Sequence, residues 1–331
     1  MPVPALNSIA HLLVDGACAA ALYACGGDAA ALALLYNTLA FSTQCLVGLG
    51  MDAARPRPRF LTAAACLAVA LFVLLPLPAV WKIVGIGLGN SLFHVGGGME
   101  TLEYSGGRAA PLGVFVAPGA VGLALGTLYP TLRMLFAVLL ILTAIGMLLL
   151  SRRAVTPAAP SAAPGGVSWW VPLLLLLAVA VRAVGGAAAA FPWKTGAGLT
   201  LLLAGFVFSG KMLGGFVCDR LGAKTAALLS IPPAAVLTAF CASVPAAALL
   251  GQLLLNLTMP VTLWLLYRAL PDSPGLAFGL AASALWPGAL LGGMIRLSGP
   301  WVWLWVVVTF AFSLPAILIV NKKLCGKGEL K

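Results

Sequence analysis

Apolar runs of roughly 20 residues fill almost the whole chain, parted by very short polar breaks. Crossing a bilayer's hydrocarbon layer takes about 20 apolar residues, so the pattern predicts about twelve spans. In the first half they fall near 5–24, 29–51, 60–79, 81–103, 109–128 and 131–151. In the second half they fall near 170–189, 195–217, 223–243, 245–268, 274–294 and 300–321. Gly26-Gly27-Asp28, Pro56-Arg57-Pro58 and Asp272-Ser273-Pro274 act as breakers. The one longer connection, Arg152 to Ser168, is rich in Ala, Pro and Gly. It divides the chain into two six-helix halves, 1–151 and 169–331, with 152–168 as a cytoplasmic linker. Ala, Gly and Leu dominate the spans, which suits close helix contact where lipid gives no hydrophobic drive. The predicted class is an all-α integral membrane protein.

The halves repeat one another. Asp52 lies in Gly48-Leu-Gly-Met-Asp52-Ala-Ala-Arg55, and Asp219, 167 residues later, lies in Gly215-Phe-Val-Cys-Asp219-Arg220-Leu-Gly222-Ala-Lys224. Pro118-Gly119 and Pro287-Gly288 recur at nearly the same interval, preceded by Gly113 and Gly279. Such pairs bend or loosen a helix inside a bundle. Duplicated helical units are the plan of many secondary transporters.

Composition narrows this further. The chain is 62% hydrophobic and 8% charged, against about 25% charged in a soluble domain, so lipid is its solvent. A net charge of +11 invites a nucleic-acid partner, but that needs a basic face on a water-exposed fold. Here Lys and Arg sit mostly at the ends of apolar runs, with Arg182 and Lys211 inside spans. Placing the N-terminus in the cytoplasm puts thirteen of them on that side, including Arg55, Arg108, Arg152, Lys224 and Lys331. Lys82, Arg133, Lys194 and Arg296 fall on the other. The bias predicts both termini inside, in a multi-pass inner-membrane protein. The N-terminus lacks the basic region of a signal peptide, so the first run is expected to remain as a helix. Seven scattered cysteines without Cys-x-x-Cys spacing indicate neither a disulfide framework nor a metal cage. No cofactor or metal is expected.

The Gly215-x-x-x-Asp219-Arg220-x-Gly222-x-Lys224 stretch, between an eighth and a ninth span, resembles the loop signature of the major facilitator superfamily. The first copy keeps Gly48 and Asp52 but has Ala53 where Arg would stand. Ala10-His11-Leu-Leu-Val-Asp15 and Gly87-Leu-Gly89-Asn90-Ser-Leu-Phe93-His94, continued by Ser105-Gly-Gly-Arg108, are similar to fosmidomycin-resistance-type transporters. After His94 the chain departs, reading Val-Gly-Gly-Gly-Met-Glu100. The resemblance implies a proton-driven carrier exporting small organic compounds, with the substrate left open.

Several residues are placed to carry that chemistry. His11 and Asp15 are i, i+4 on one helix face, and intramembrane ionisable groups line cavities or pair internally. Histidine changes charge between about pH 5 and 8, so His11, Asp15 and His94 are the candidate proton carriers. Substrate contacts are expected from Tyr36, Asn37 and Gln44 in the second span, from Phe93, Asn256 and Trp286, and from Arg182. The repeat interval carries Asp15 onto Arg182, which predicts an ion pair across the pseudo-twofold axis that opens to admit an anionic group. Asp52 with Arg55, and Gly215, Asp219, Arg220, Gly222 and Lys224, form an expected latch, its carboxylates pairing with cations across the halves. Lys211 is expected to reach toward the cytoplasm, and Glu100 and Glu103 to pair with Arg108 or neighbouring cytoplasmic cations. The expected partners are protons, a small-molecule substrate and lipid, with the chain acting as a monomer. An embedded lipid-modifying enzyme or a non-transporting sensor are the competing classes; two histidines in the whole chain leave an enzyme little to work with.

Overall fold

The computed structural model describes residues 3–150, 167–187, 191–291 and 300–325. Residues 152–166 of the linker and the charges Arg152, Arg153, Arg296, Lys327 and Lys331 lie outside the described residues.

Twelve helical spans appear among the described residues, and no strand. The N-terminal half has α1 (Val3–Ala24), α2 (Ala29–Ala54), α3 (Pro58–Leu74), α4 (Ala79–Tyr104), α5 (Ala110–Leu128) and α6 (Arg133–Leu150). The C-terminal half has α7 (Trp170–Ala187), α8 (196–221), α9 (223–240), α10 (Pro245–Ala269), α11 (Pro274–Leu291) and α12 (Pro300–Cys325). The chain is thus a multi-pass all-helical membrane protein, as the apolar periodicity predicts.

Local chemistry explains the breaks. Asp28 accepts hydrogen bonds from the N–H groups of Ala30 and Ala31 and so caps α2. Pro58, Pro245 and Pro274 open their helices, where a missing N–H costs nothing. Between α8 and α9 Gly222 takes φ 81° and ψ 158°, a conformation closed to side-chain-bearing residues. Arg55 ends α2 in the left-handed region at φ 48°.

Burial shows which helices are central. In α1, 78% of the apolar window is buried, against 28% in Pro130–Leu149. The first therefore runs through the middle of its half while α6 faces lipid. Ala10, Ala17, Cys18 and Ala20 on α1 are fully buried, and such small residues let backbones approach closely.

The two halves meet on the face that carries Asp52 and Asp219. There α2 packs on α11 and α5 on α8. Gly48 lies against the backbone of Gly275, and Gly215 against that of Ala109 and Ala110. A Cβ at either glycine would force the backbones apart, so this contact needs residues without one.

Candidate functional site

Between the halves lies a cavity of about 520 Å³. It extends toward the face opposite the two aspartates, where Thr127, Lys194 and Thr200 line it.

The N-terminal wall holds a compact polar cluster. His11 Nε2 is 3.2 Å from Asp15 Oδ2, and His94 Nε2 is 3.7 Å from Asp15 Oδ1. The two Nε2 atoms stand 2.9 Å apart. Backbone carbonyls fix the tautomers: His11 Nδ1 is 2.8 Å from Phe115 O, and His94 Nδ1 is 2.9 Å from Asn90 O. A carbonyl only accepts, so both Nδ1 atoms carry the proton and donate it. In neutral rings both Nε2 atoms would then present lone pairs to each other at contact distance. Only a proton or a metal cation between them relieves that repulsion. Asn90 Nδ2 donates to Asp15 Oδ1 at 3.1 Å and holds the carboxylate in place.

The cluster depends on the bend in α5. A Cβ on Gly119 would run into Asp15 Oδ2 and His11 Nε2, so only glycine leaves room there. Pro287-Gly288 makes the equivalent approach in the second half: a Cβ on Gly288 would strike Ala183, next to Arg182. The repeated pairs thus seat α5 and α11 against the charged residue of the first helix of each half.

The C-terminal wall is cationic. Arg182 is 9% exposed and its Nη2 donates to Thr262 Oγ1 at 3.4 Å. Its Nη1 has no hydrogen-bond partner among the described residues. The expected ion pair with Asp15 is not formed, because Asp15 turns to the histidines of its own half. Lys211 also lines the cavity and lies within electrostatic reach of Asp15 and His94. It faces inward, contrary to the expectation that it reaches for the cytoplasm.

Of the other expected substrate contacts, Tyr36, Asn37 and Gln44 line the cavity, and three do not. Phe93 is fully buried behind the cluster, 5.9 Å from the His11 ring and 6.2 Å from the Phe115 ring. Asn256 turns toward Gly210 at the α8–α10 contact and donates to Gln252 O at 2.8 Å. Trp286 Nε1 donates to Thr38 Oγ1 at 3.4 Å, bridging α11 to α2.

The expected latch residues use different partners from those expected. Asp52 accepts from the N–H groups of Gly275 and Leu276 at 2.9 and 2.7 Å. Asp219 accepts from those of Ala109 and Ala110 at 2.6 and 3.0 Å. Each carboxylate therefore caps the first turn of a helix in the opposite half, where unsatisfied N–H groups and the helix dipole favour negative charge. Among the described residues no ion pair involves either aspartate. Arg220 is exposed, and Gly222 and Lys224 line a separate pocket beside Asp219. Glu100 pairs with Arg59 at 2.7 Å, one of the cations expected beside Arg108.

Sequence reasoning missed Ser283. Residues Thr38–Ser42 of α2 form a π-helical turn, a feature frequent at functional sites. The Ser283 hydroxyl donates to Phe41 O at 2.8 Å and accepts from the Cys45 N–H at 3.1 Å. It satisfies from α11 what the irregular turn leaves open. No periodicity marks a π turn; the polar run from Tyr36 to Gln44 was its only trace.

No family model matches the sequence, and neither does any curated protein. Solved structures do. A major facilitator superfamily transporter, FucP, in the outward conformation, matches with a TM-score of 0.64 at 13% identity, over 97% of this chain and 98% of that one. A variant of the E. coli fucose:proton symporter FucP matches at 0.60 and 13%, over 96% and 98%. The twelve spans in two six-helix halves are the major facilitator fold.

Proposed function

We propose that this chain is a proton-coupled secondary transporter of a small organic anion, working by alternating access between the two halves. One observation carries the reading: a single cavity at the interface of the halves has a histidine–histidine–aspartate cluster on one wall and a buried, half-unpartnered arginine on the other. A buried polar group without a partner is costly, and Arg182 Nη1, which has no hydrogen-bond partner among the described residues, can receive an anion. His11, Asp15 and His94 converge three acceptors that together hold at least one exchangeable proton. A proton taken up there changes the charge that Lys211 and the substrate meet across the cavity. Asp52 and Asp219 act as the latch on the closed face, since their bonds cross from one half to the other.

Two further observations support the reading. The stretches that resemble fosmidomycin-resistance-type carriers contribute His11, Asp15, Asn90 and His94, the four side chains of the cluster; that resemblance favours export. Fold neighbours include a protein described as a fucose:proton symporter. The test is transport in proteoliposomes, with an imposed pH gradient and a panel of radiolabelled organic anions. At least one anion should move in response to the gradient, and Asp15→Asn should abolish that response while counterflow persists. Gradient-driven movement unchanged in Asp15→Asn would refute proton coupling at this cluster, and the absence of counterflow for every anion would refute the substrate class.

A further inference from the structure

We propose that His11, His94 and Asp15 form a binding site for a divalent first-row transition-metal ion, with an open coordination position facing the cavity. His11, His94 and Asp15 each present one ligand atom, from two helices, and these atoms lie mutually within 4.8 Å. The two Nε2 atoms are 2.9 Å apart, His11 Nε2 is 3.2 Å from Asp15 Oδ2 and His94 Nε2 is 3.7 Å from Asp15 Oδ1, separations close to what a metal needs. Bonds of about 2.0–2.2 Å give ligand–ligand edges of about 3.0 Å in octahedral and about 3.3–3.6 Å in tetrahedral geometry.

The surroundings match as well. A metal-binding imidazole normally donates its other N–H to a carbonyl or carboxylate, fixing the tautomer. His11 does so to Phe115 O and His94 to Asn90 O. The carboxylate is held in turn by Asn90 Nδ2. Space exists where a further ligand would enter: His11, Asp15 and His94 all line the cavity between the halves. Two imidazoles and one carboxylate suit zinc, cobalt, nickel or ferrous iron and suit magnesium or calcium poorly.

The charge balance indicates what accompanies the ion. A dication on one carboxylate leaves one net positive charge, and Arg182 and Lys211 add two more around the same cavity. So much uncompensated charge in a low-dielectric site is unfavourable. An anionic co-ligand, such as a carboxylate of a chelating small molecule, would occupy the open position and offset the cations. The ligand class is therefore a transition-metal ion together with an organic anion. The ion needs deprotonated Nε2 atoms, so proton and metal compete for one site and binding releases protons.

This inference uses the cavity of the proposed carrier, but it is read at equilibrium and does not depend on turnover. Detergent-purified protein without a histidine tag is titrated with Co²⁺, following ligand-field absorption. The expected result is one Co²⁺ per chain, displaced by Zn²⁺, with affinity at least about tenfold weaker in His94→Gln and in Asp15→Asn. Cys18→Ala removes a thiol 3.9 Å from Asn90 Nδ2 and should leave affinity unchanged. A sulfur-to-cobalt charge-transfer band, or affinity equal to the parent's in a folded His94→Gln protein, would overturn the site. So would the absence of saturable binding in the parent. Acetate at fixed Co²⁺ should perturb the parent spectrum at several-fold lower concentration than that of Arg182→Gln; equal sensitivity would remove the anionic co-ligand from the proposal.

Discussion

Replacing Asp52 by Asn tests the latch where its structure is simplest. The carboxylate gives one oxygen to each of two N–H groups at the start of α11. Asparagine keeps one oxygen and turns an NH₂ group toward the second donor. The loss is one hydrogen bond to a charged group, about 1.5–3 kcal/mol, plus the attraction of a carboxylate to a helix N-terminus, about 0.3–1 kcal/mol. Asp52 is half-buried, so water recovers part of this, and a net cost of about 2 kcal/mol to the closed face is expected. At about 1.4 kcal/mol per factor of ten, the ratio of separated to closed halves rises about 30-fold. Asp219 makes an equivalent pair of bonds but is exposed. About 1 kcal/mol, or about fivefold, is expected for Asp219→Asn. The sequence alone gives the opposite order, since the motif around Asp52 is the incomplete one. Cys45 reports on the closure: its N–H is bonded to Ser283 and its backbone packs beside Gly279 of α11. With the other six cysteines replaced, the alkylation rate of Cys45 should rise with the separated fraction. A rise below about threefold for Asp52→Asn, or a larger one for Asp219→Asn, would refute the reasoning.

Gly119→Ala should displace the Asp15 carboxylate and His11 ring while leaving the protein inserted; loss of gradient-driven uptake in a variant with normal yield and thermal stability checks this, and normal uptake would contradict it. Ser283→Ala strips partners from Phe41 O and the Cys45 N–H, so the contact between α2 and α11 should weaken by about 1–3 kcal/mol, read as faster Cys45 alkylation. Reporter fusions after Lys331 and within 152–168 should both report cytoplasm; a periplasmic signal from either would reverse the assigned sides. Arg182→Gln should weaken protection by a bound organic anion in a thermal-shift assay while changing the melting temperature of the free protein little, because the Nη2 bond to Thr262 is long, at 3.4 Å, and Nη1 has no hydrogen-bond partner among the described residues.

The twelve spans and their division into halves were legible in the chain because insertion is a local property. Each run of about 20 apolar residues satisfies its own backbone as a helix, whatever its neighbours do, and Gly, Pro and Asp mark the ends. Gly222 broke α8 from α9 where the motif placed a loop. His11 and Asp15 could be paired in advance for the same reason, since i, i+4 spacing fixes neighbours on one helix. Partners across helices were a different matter. His94 reaches His11 over 83 residues, and the sequence carried no metal-ligand spacing to announce it. Symmetry offered Arg182 as the partner of Asp15, but the interval relates backbone positions, not side-chain choices. Asp15 had two imidazoles and Asn90 within reach in its own half, and the cation across the cavity makes no ion pair among the described residues. The aspartates of the repeated loops found backbone N–H groups at the ends of α5 and α11 where charge counting offered only Lys and Arg. Phe93, Asn256 and Trp286 were polar or aromatic enough to line a cavity, yet helix rotation turned them into the packing. Local chemistry set the helices; which faces met, and hence which groups share the cavity, depended on how the bundle closed.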